Sequence, residues 1–245
     1  MKVLVTGAGR GIGRAVALRL GRDGHDVAVQ VNASVETGRE VCEDIRAEGG
    51  RGELVTADLS DKRQAAAAVA GAAEKLGGLD GLVLNAAISS SHDVFDVEDN
   101  EIDYVIDTNL KAPIVLSREA MRLMRAARGG NIVIVGSTAA QTGGALVGPH
   151  YATSKAGTHT LVKSLARSGA PCGIRVNGVA PGFVDTDGLD RMVAARGPVD
   201  AKRLVPLGRV GSPAEVAACV AFLLSDAASY VDGAMLDVNG GLFMR

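Results

Sequence analysis

Tyr151 and Lys155 stand four residues apart at the head of a helical stretch predicted over His150–Ser168. Four residues advance an α-helix by little more than one turn, so the phenol and the ammonium share a face. An ammonium beside a phenol favours the phenolate and lowers the tyrosine pKa by ~1–3 units. Unshifted, near pKa ~10, a tyrosine exchanges protons poorly at neutral pH. Upstream, Val133-Ile134-Val135-Gly136-Ser137-Thr138 reads as a strand that ends in two hydroxyls. A hydroxyl at the carboxyl end of such a strand can donate to a carbonyl oxygen as negative charge develops there. Ser137 and Thr138 are the two candidate donors.

A second constellation opens the chain. The aliphatic run Lys2–Val5 leads into Thr6-Gly7-Ala8-Gly9-Arg10-Gly11-Ile12-Gly13, and an apolar helical pattern follows at once. Glycines let a backbone take positive φ and approach a diphosphate, while free N–H groups and the helix dipole attract the anion. The position directly after a strand and before a helix gives the pattern its meaning.

These groups need a frame that delivers them to one place. Strands are predicted at Lys2–Val5, Asp26–Val31, Gly52–Ala57, Gly81–Leu84, Asn131–Val135, Ile174–Val179 and Ala234–Val238. Helices are predicted near Ile12–Asp23, Val35–Glu48, Lys62–Leu76, Glu101–Ala127, His150–Ser168 and Pro213–Leu224. Uninterrupted Val/Ile/Leu runs suit parallel strands covered on both faces. Regular β-α alternation makes this an α/β chain: a Rossmann-type doubly wound parallel sheet of about seven strands in a single domain over residues 1–245. Asp99 or Asn100 is placed to cap the helix before Ile102, and Ser212-Pro213-Ala214-Glu215 carries a fuller helix-start signal. Residues 185–208 break the alternation around a short helical piece, Leu189–Ala195, and are expected to form a lid over the ligand crevice.

Composition narrows the classes. A chain of 245 residues with 47% hydrophobic and 22% charged residues is ordinary globular material. The formal net charge of −2, without a dense basic run, speaks against nucleic acid and anionic membranes as partners. No Trp and only seven other aromatics leave no base-stacking platform. Apolar runs fall far short of the ~20 residues of a membrane span. The N-terminus enters a strand at once, so no signal peptide is expected. Cys42, Cys172 and Cys219 are scattered, as are His25, His92, His150 and His159, so no metal site is expected; a cytoplasmic location is.

The chain resembles the short-chain dehydrogenase/reductase family throughout its length. The matching marks are the glycine turn, Asp58-Leu59, Asn85-Ala86, Asn109, Ser137, Tyr151 with Lys155, and Pro181-Gly182 leading through Val184 to Thr186. The resemblance implies that Tyr151 protonates a carbonyl oxygen while a nicotinamide delivers hydride to carbon. It implies that Lys155 lowers the tyrosine pKa and holds the nicotinamide ribose, that Ser137 orients the carbonyl, and that Asn109 holds a water linking Lys155 to solvent. Asp58 would contact the adenine, Asn85 the sheet edge beside the ribose, and Thr186 the carboxamide; Gly7, Gly9, Arg10, Gly11, Ile12, Gly13, Leu59, Ala86, Pro181, Gly182 and Val184 complete the cofactor set. Two departures stand out: Asn85-Ala86-Ala87 where the family has Asn-Ala-Gly, and a serine-to-tyrosine gap of 14 where 13 is commonest. Thr138 fits the common spacing and is the rival, but Gly136-Ser137 matches the family's strand end and the Thr142–Gly148 loop can absorb one residue, so the resemblance implies Ser137.

The second strand reads Val27-Ala28-Val29-Gln30-Val31-Asn32 and ends without the carboxylate that binds an NAD ribose. Arg10 can neutralise a 2′-phosphate, with Asn32 and Ser34 as neutral donors, so NADP (NADPH) is the expected cofactor. The C-terminal third is most similar to 3-oxoacyl-[acyl-carrier-protein] reductases, on Pro206–Glu215, Val220–Asp226 and Asp237–Gly241. That similarity implies reduction of a 3-oxoacyl thioester and a carrier-protein partner met by Arg125 and Arg128, though Cys172 stands where a second basic residue is expected. Reduction of a polyketide, sugar or other small ketone is the alternative, and a non-catalytic dinucleotide sensor a third. The resemblance also implies a homotetramer, or at least a dimer, packed through Ile106, Leu110, Ile114, Leu161, Leu165 and the Leu236–Phe243 segment. The substrate pocket is expected to be lined by His92–Val94, Ala139–Thr142, His150, Phe183 and Met192.

Overall fold

Seven parallel strands form one sheet in the order β3-β2-β1-β4-β5-β6-β7. They are β1 (Lys2–Val5), β2 (Asp26–Val31), β3 (Arg51–Thr56), β4 (Gly81–Leu84), β5 (Gly130–Val135), β6 (Ile174–Pro181) and β7 (Met235–Val238). The computed structural model describes residues 1–144, 146–197 and 200–244.

Strand residues alternate between two apolar cores, as the period of two requires. Leu4, Ala28, Leu82, Ile132 and Val176 pack with α3 (Lys62–Leu76), α5 (Ala112–Ala127) and α7 (Pro149–Gly169). Val3, Val5, Val27, Val83 and Val133 pack with α1 (Gly11–Arg22), α2 (Val35–Ala47) and α10 (Pro213–Leu224). Burial on both faces explains why the strands are continuous aliphatic runs. The strand order reverses between β1 and β4, and in such sheets a ligand crevice opens beyond the carboxyl ends at that point.

The long helix expected over Glu101–Ala127 is not continuous. It divides into α4 (Asp99–Ile106), a π-helical turn over Asp107–Lys111, and α5. Pro113, in the first turn of α5, has no N–H and its ring crowds the carbonyl four residues back, which disfavours an unbroken α-helix there. The Asp107–Lys111 ion pair, 2.6 Å long, spans the wide turn. Neither Asp99 nor Asn100 caps α4: Glu98 is the flanking extended residue and makes no side-chain cap. The Ser212 signal resolves as a full capping box, the Ser212 hydroxyl accepting from the Glu215 N–H and the Glu215 carboxylate from the Ser212 N–H.

Residues 185–210 leave the sheet and return. The excursion is stapled at its base by the Val184–Gly211 bridge and contains α8 (Asp187–Arg196) and α9 (Ala201–Leu204). Residues 198 and 199, within the expected lid, lie outside the described residues. A short helix, α6 (Ala139–Thr142), follows β5, and two glycines at positive φ, Gly143 and Gly144, turn the chain toward α7.

Candidate active site

A cleft of about 810 Å³ opens at the carboxyl end of the sheet. One wall is the glycine turn. Gly7 and Gly11 sit at φ +63° and +53°, and a Cβ on Gly7 would lie 2.9 Å from the Ala86 Cα. Gly7, Gly9, Arg10, Gly11 and Ile12 line the cleft. Gly13 does not, contrary to its expected place in the cofactor set. It packs so closely on the Gly7 carbonyl and the Asn85 side chain that a methyl group would collide with both. Its part is to seat α1 against the turn.

Gln30 braces that turn from below. Its Oε1 accepts from the Gly7 N–H at 3.0 Å and its Nε2 donates to the Ala57 carbonyl at 2.9 Å. In the sequence Gln30 marks only the absence of an acid. A polar residue inside an otherwise aliphatic strand was the signal available. Thr6 works similarly: its hydroxyl donates to the Val83 carbonyl and accepts from the N–H groups of Asn85 and Ala86. Asn85 Nδ2 donates back to the carbonyls of Thr6 and Gly7. The ends of β1 and β4 are thereby locked together at the switch point.

Asn32, Ser34, Asp58, Leu59, Asn85, Ala86, Pro181, Gly182, Val184 and Thr186 also line the cleft. Asp58 is not free, since its Oδ1 accepts from the Ser60 N–H and hydroxyl. Arg10 reaches across the entrance to Asp187 on α8, 4.0 Å away.

Ser137, Tyr151 and Lys155 meet on the other wall. Lys155 is 4% exposed and donates from Nζ to the Val135 carbonyl at 2.9 Å; the ammonium lies 5.9 Å from the centre of the Tyr151 ring. Burial pushes its pKa down to about 8. Burial pushes the Tyr151 phenol up, and a hydrogen bond with Ser137 pulls the other way. The expected order of influence is thus corrected: burial sets the phenol's acidity here, with Ser137 opposing it, because the ammonium is held at Val135. The residue facing the phenol is Ser137. Thr138 lines the cleft too, but at the head of α6, where its carbonyl accepts from the Thr142 hydroxyl. His159, read from sequence only as one of four scattered histidines, stands behind Ser137 and accepts from its N–H through Nε2 at 3.4 Å.

Asn109 sits in the π-helical turn and does not line the cleft. Its Oδ1 accepts from the Ile88 N–H at 2.8 Å, and its Nδ2 donates to the Ile88 carbonyl and the Ser154 hydroxyl. Those bonds make the side chain pin the chain leaving β4 onto α7. The expected substrate wall needs similar correction. Ala139, Thr142, Phe183 and Met192 line the cleft, but His92–Val94 and His150 do not; Ile88 and Ser89 take their place. Among the described residues, no group of His, Cys, Asp or Glu is arranged to hold a metal, and no helix is long and apolar enough to cross a membrane.

Residues 7–243 match the family model described as enoyl-(acyl carrier protein) reductase. The chain is 39% identical over 246 residues to a 3-oxoacyl-[acyl-carrier-protein] reductase FabG of Staphylococcus aureus, covering 98% of this chain and 97% of that one. The chain belongs to the short-chain dehydrogenase/reductase family. Reductases of the same name from Pseudomonas aeruginosa and Escherichia coli are 38% identical over 241 residues, covering 98% of this chain and 96% of theirs. A crystal structure provisionally named a short-chain alcohol dehydrogenase, from Sinorhizobium meliloti 1021, superposes with a TM-score of 0.89 at 34% identity, covering 98% of this chain and 95% of that chain. The chain is thus an oxidoreductase-family protein with the Rossmann-type sheet of short-chain dehydrogenases, matched along nearly its whole length.

Proposed function

We propose that this protein reduces a 3-oxoacyl thioester to the 3-hydroxyacyl form with NADPH. The observation that carries the reading is the meeting of Ser137, Tyr151 and Lys155 on the wall of a cleft whose other wall is the glycine turn. The turn fits a dinucleotide diphosphate, since side chains at Gly7 would fill the approach. A bound nicotinamide dinucleotide supplies a hydride. Tyr151 then gives its proton to the substrate oxygen, and the Ser137 hydroxyl donates to that same oxygen and fixes its place. Lys155, charged below pH about 8, holds the cofactor ribose. Asn109 positions the wall beside them and holds the water that links Lys155 to solvent. Asp58, Asn85 and Thr186 serve adenine, ribose and carboxamide, in that order.

NADPH rather than NADH is favoured because Arg10, Asn32 and Ser34 line the cleft at the β2 end and no acid follows that strand. The 185–208 segment acts as a lid, with Leu189, Met192 and Leu204 on the cleft side. A carrier protein docks at Arg125 and Arg128. Arg128 is the one described non-glycine residue at positive φ, +60°, a position where glycine ordinarily closes a helix. A basic side chain kept there against its backbone preference supports a recognition role. Exposed Ile114 and Leu123 on α5, and Phe222 and Leu236 near the C-terminus, suit the subunit contacts of a homotetramer; Leu161 and Leu165 lean on the chain's own core. A cytoplasmic location accompanies the three free cysteines. Cys172, in place of a second docking base, favours a second reading as a reductase of a polyketide or other small ketone. NADPH loss on adding an acetoacetyl thioester, set against a panel of small ketones, separates the two. No turnover with either, alongside tight NADP binding, refutes both.

A further inference from the structure

Four polar side chains gather beside the head of α7 without a part in the chemistry above. They are Ser90 and His92 on the chain leaving β4, Glu101 on α4, and His150 in the first turn of α7. Glu101 Oε2 lies 2.6 Å from His92 Nδ1. Its Oε1 accepts from the Ser90 hydroxyl and sits 3.3 Å from His150 Nε2, out of line for a hydrogen bond. His150 is 6% exposed, and neither of its ring nitrogens has a hydrogen-bond partner among the described residues. Buried polar groups normally have one, so this imidazole is poised beside a carboxylate that it does not yet grip. The backbone closes the same junction: the Gly148 N–H donates to the Ser90 carbonyl at 2.9 Å, and a Cβ on Gly148 would strike the His92 carbonyl and the His150 ring.

The junction joins two working parts of the site. Ile88 and Ser89, just before Ser90, wall the cleft, and Tyr151 directly follows His150. The titratable groups bearing on His150 are Glu101 from α4 and His92 through the shared carboxylate; Tyr151, on α7 itself, turns to Ser137 instead. Hydrogen bonds from Ser90 and His92 and the charge of His150 hold the Glu101 carboxyl below its ordinary range. Histidine changes charge between pH 5 and 8, and the charged ring offers two donors and an opposite charge to the carboxylate.

We propose that Glu101 is a positioning residue for Tyr151 and the Ile88–Ser89 wall, and that its grip tightens when His92 and His150 are protonated and slackens when they are neutral. Only the kinetic consequence rests on the reductase reading. The test is hydrogen–deuterium exchange of peptides covering residues 86–92 and 148–152 in the full chain at about pH 5.5 and 8, with intrinsic exchange rates divided out. In the unmodified protein, protection is expected to fall about tenfold between the two, the effect of one charge-assisted contact. Glu101→Gln keeps the side chain's shape and removes the charge, and is expected to show low, pH-independent protection. His92→Asn, on an exposed ring, is expected to keep part of the step. Equal protection at both pH values in the unmodified protein, or an undiminished step in Glu101→Gln, overturns the proposal. In the same preparations, KM for a ketone should rise over this interval and should not in Glu101→Gln. Absence of turnover in every preparation refutes the reductase reading, while the exchange result still decides the brace.

Discussion

Lys155→Met should make the cofactor-free protein more stable while ending its activity. The Lys155 ammonium is almost wholly buried, with one hydrogen-bond acceptor, and its pKa falls from 10.5 to about 8. Each unit is worth about 1.4 kcal/mol, so keeping this group charged in the folded state at pH 7 costs about 3 kcal/mol. Met is similar in length and needs no such cost, but leaves the Val135 carbonyl without a donor, a loss of about 1 kcal/mol. A net gain of about 2 kcal/mol remains, which for a chain of this size raises Tm by roughly 4–8 °C. The sign with pH follows from the folded state's weaker hold on the proton. Between pH 8 and 10.5 the unfolded chain binds more protons at this site, so the unmodified protein gains stability as pH rises. The advantage of the Met variant is therefore full below pH 8 and closes by about pH 10.5. Thermal melts followed by circular dichroism at pH 7 and 10 read both effects. A variant that melts lower at pH 7, or an advantage that does not shrink with pH, refutes the reasoning.

Other perturbations test neighbouring parts of the site. Reductive kcat/KM should fall as pH rises through about 8, where Lys155 loses its proton; a profile flat to pH 9.5 contradicts that role. Arg10→Ala should lower kcat/KM with NADPH about tenfold or more and leave NADH within twofold, as measured by cofactor-varied kinetics; equal losses would mean that Arg10 does not read the 2′-phosphate. Gly13→Ala forces a methyl group against the Gly7 backbone and should cost about 1–3 kcal/mol in a denaturant titration, whereas an unchanged midpoint would mean the α1 junction has slack. Arg128→Gly should relieve the +60° φ, raising stability by about 1 kcal/mol, while raising KM for a carrier-linked substrate and not for a free thioester.

Much of this architecture could be read from pattern, and the misses share a physical cause. Doubly buried parallel strands announce themselves as aliphatic runs, so the sheet and the phosphate turn were readable within a residue or two, as were the helices apart from the divided Glu101–Ala127 stretch and the short α6 and α9. Ser137 could be preferred over Thr138 because Gly136-Ser137 matches the family's strand end, and the α6 turn with Gly143 and Gly144 shows how the longer gap to Tyr151 is spanned. What local pattern could not give was the destination of polar side chains across long sequence distances. Asn109 bonds to Ile88 and Ser154, Gln30 to Gly7 and Ala57, and Glu101 meets His92 and His150; each of these pairings is made by the fold and not by spacing. The π-helical turn was missed for a related reason. Pro113 marked a disturbance, but a helix can absorb a proline by several local geometries.

The central claim is that Tyr151 donates the proton that completes carbonyl reduction. NADPH oxidation with an acetoacetyl thioester, measured beside NADPH binding in the unmodified protein and in Tyr151→Phe, tests it most directly. The account predicts that Tyr151→Phe binds NADPH nearly unchanged and loses about 10²–10⁴-fold in turnover, the usual contribution of a positioned general acid. Turnover within a few-fold of the unmodified protein would contradict it.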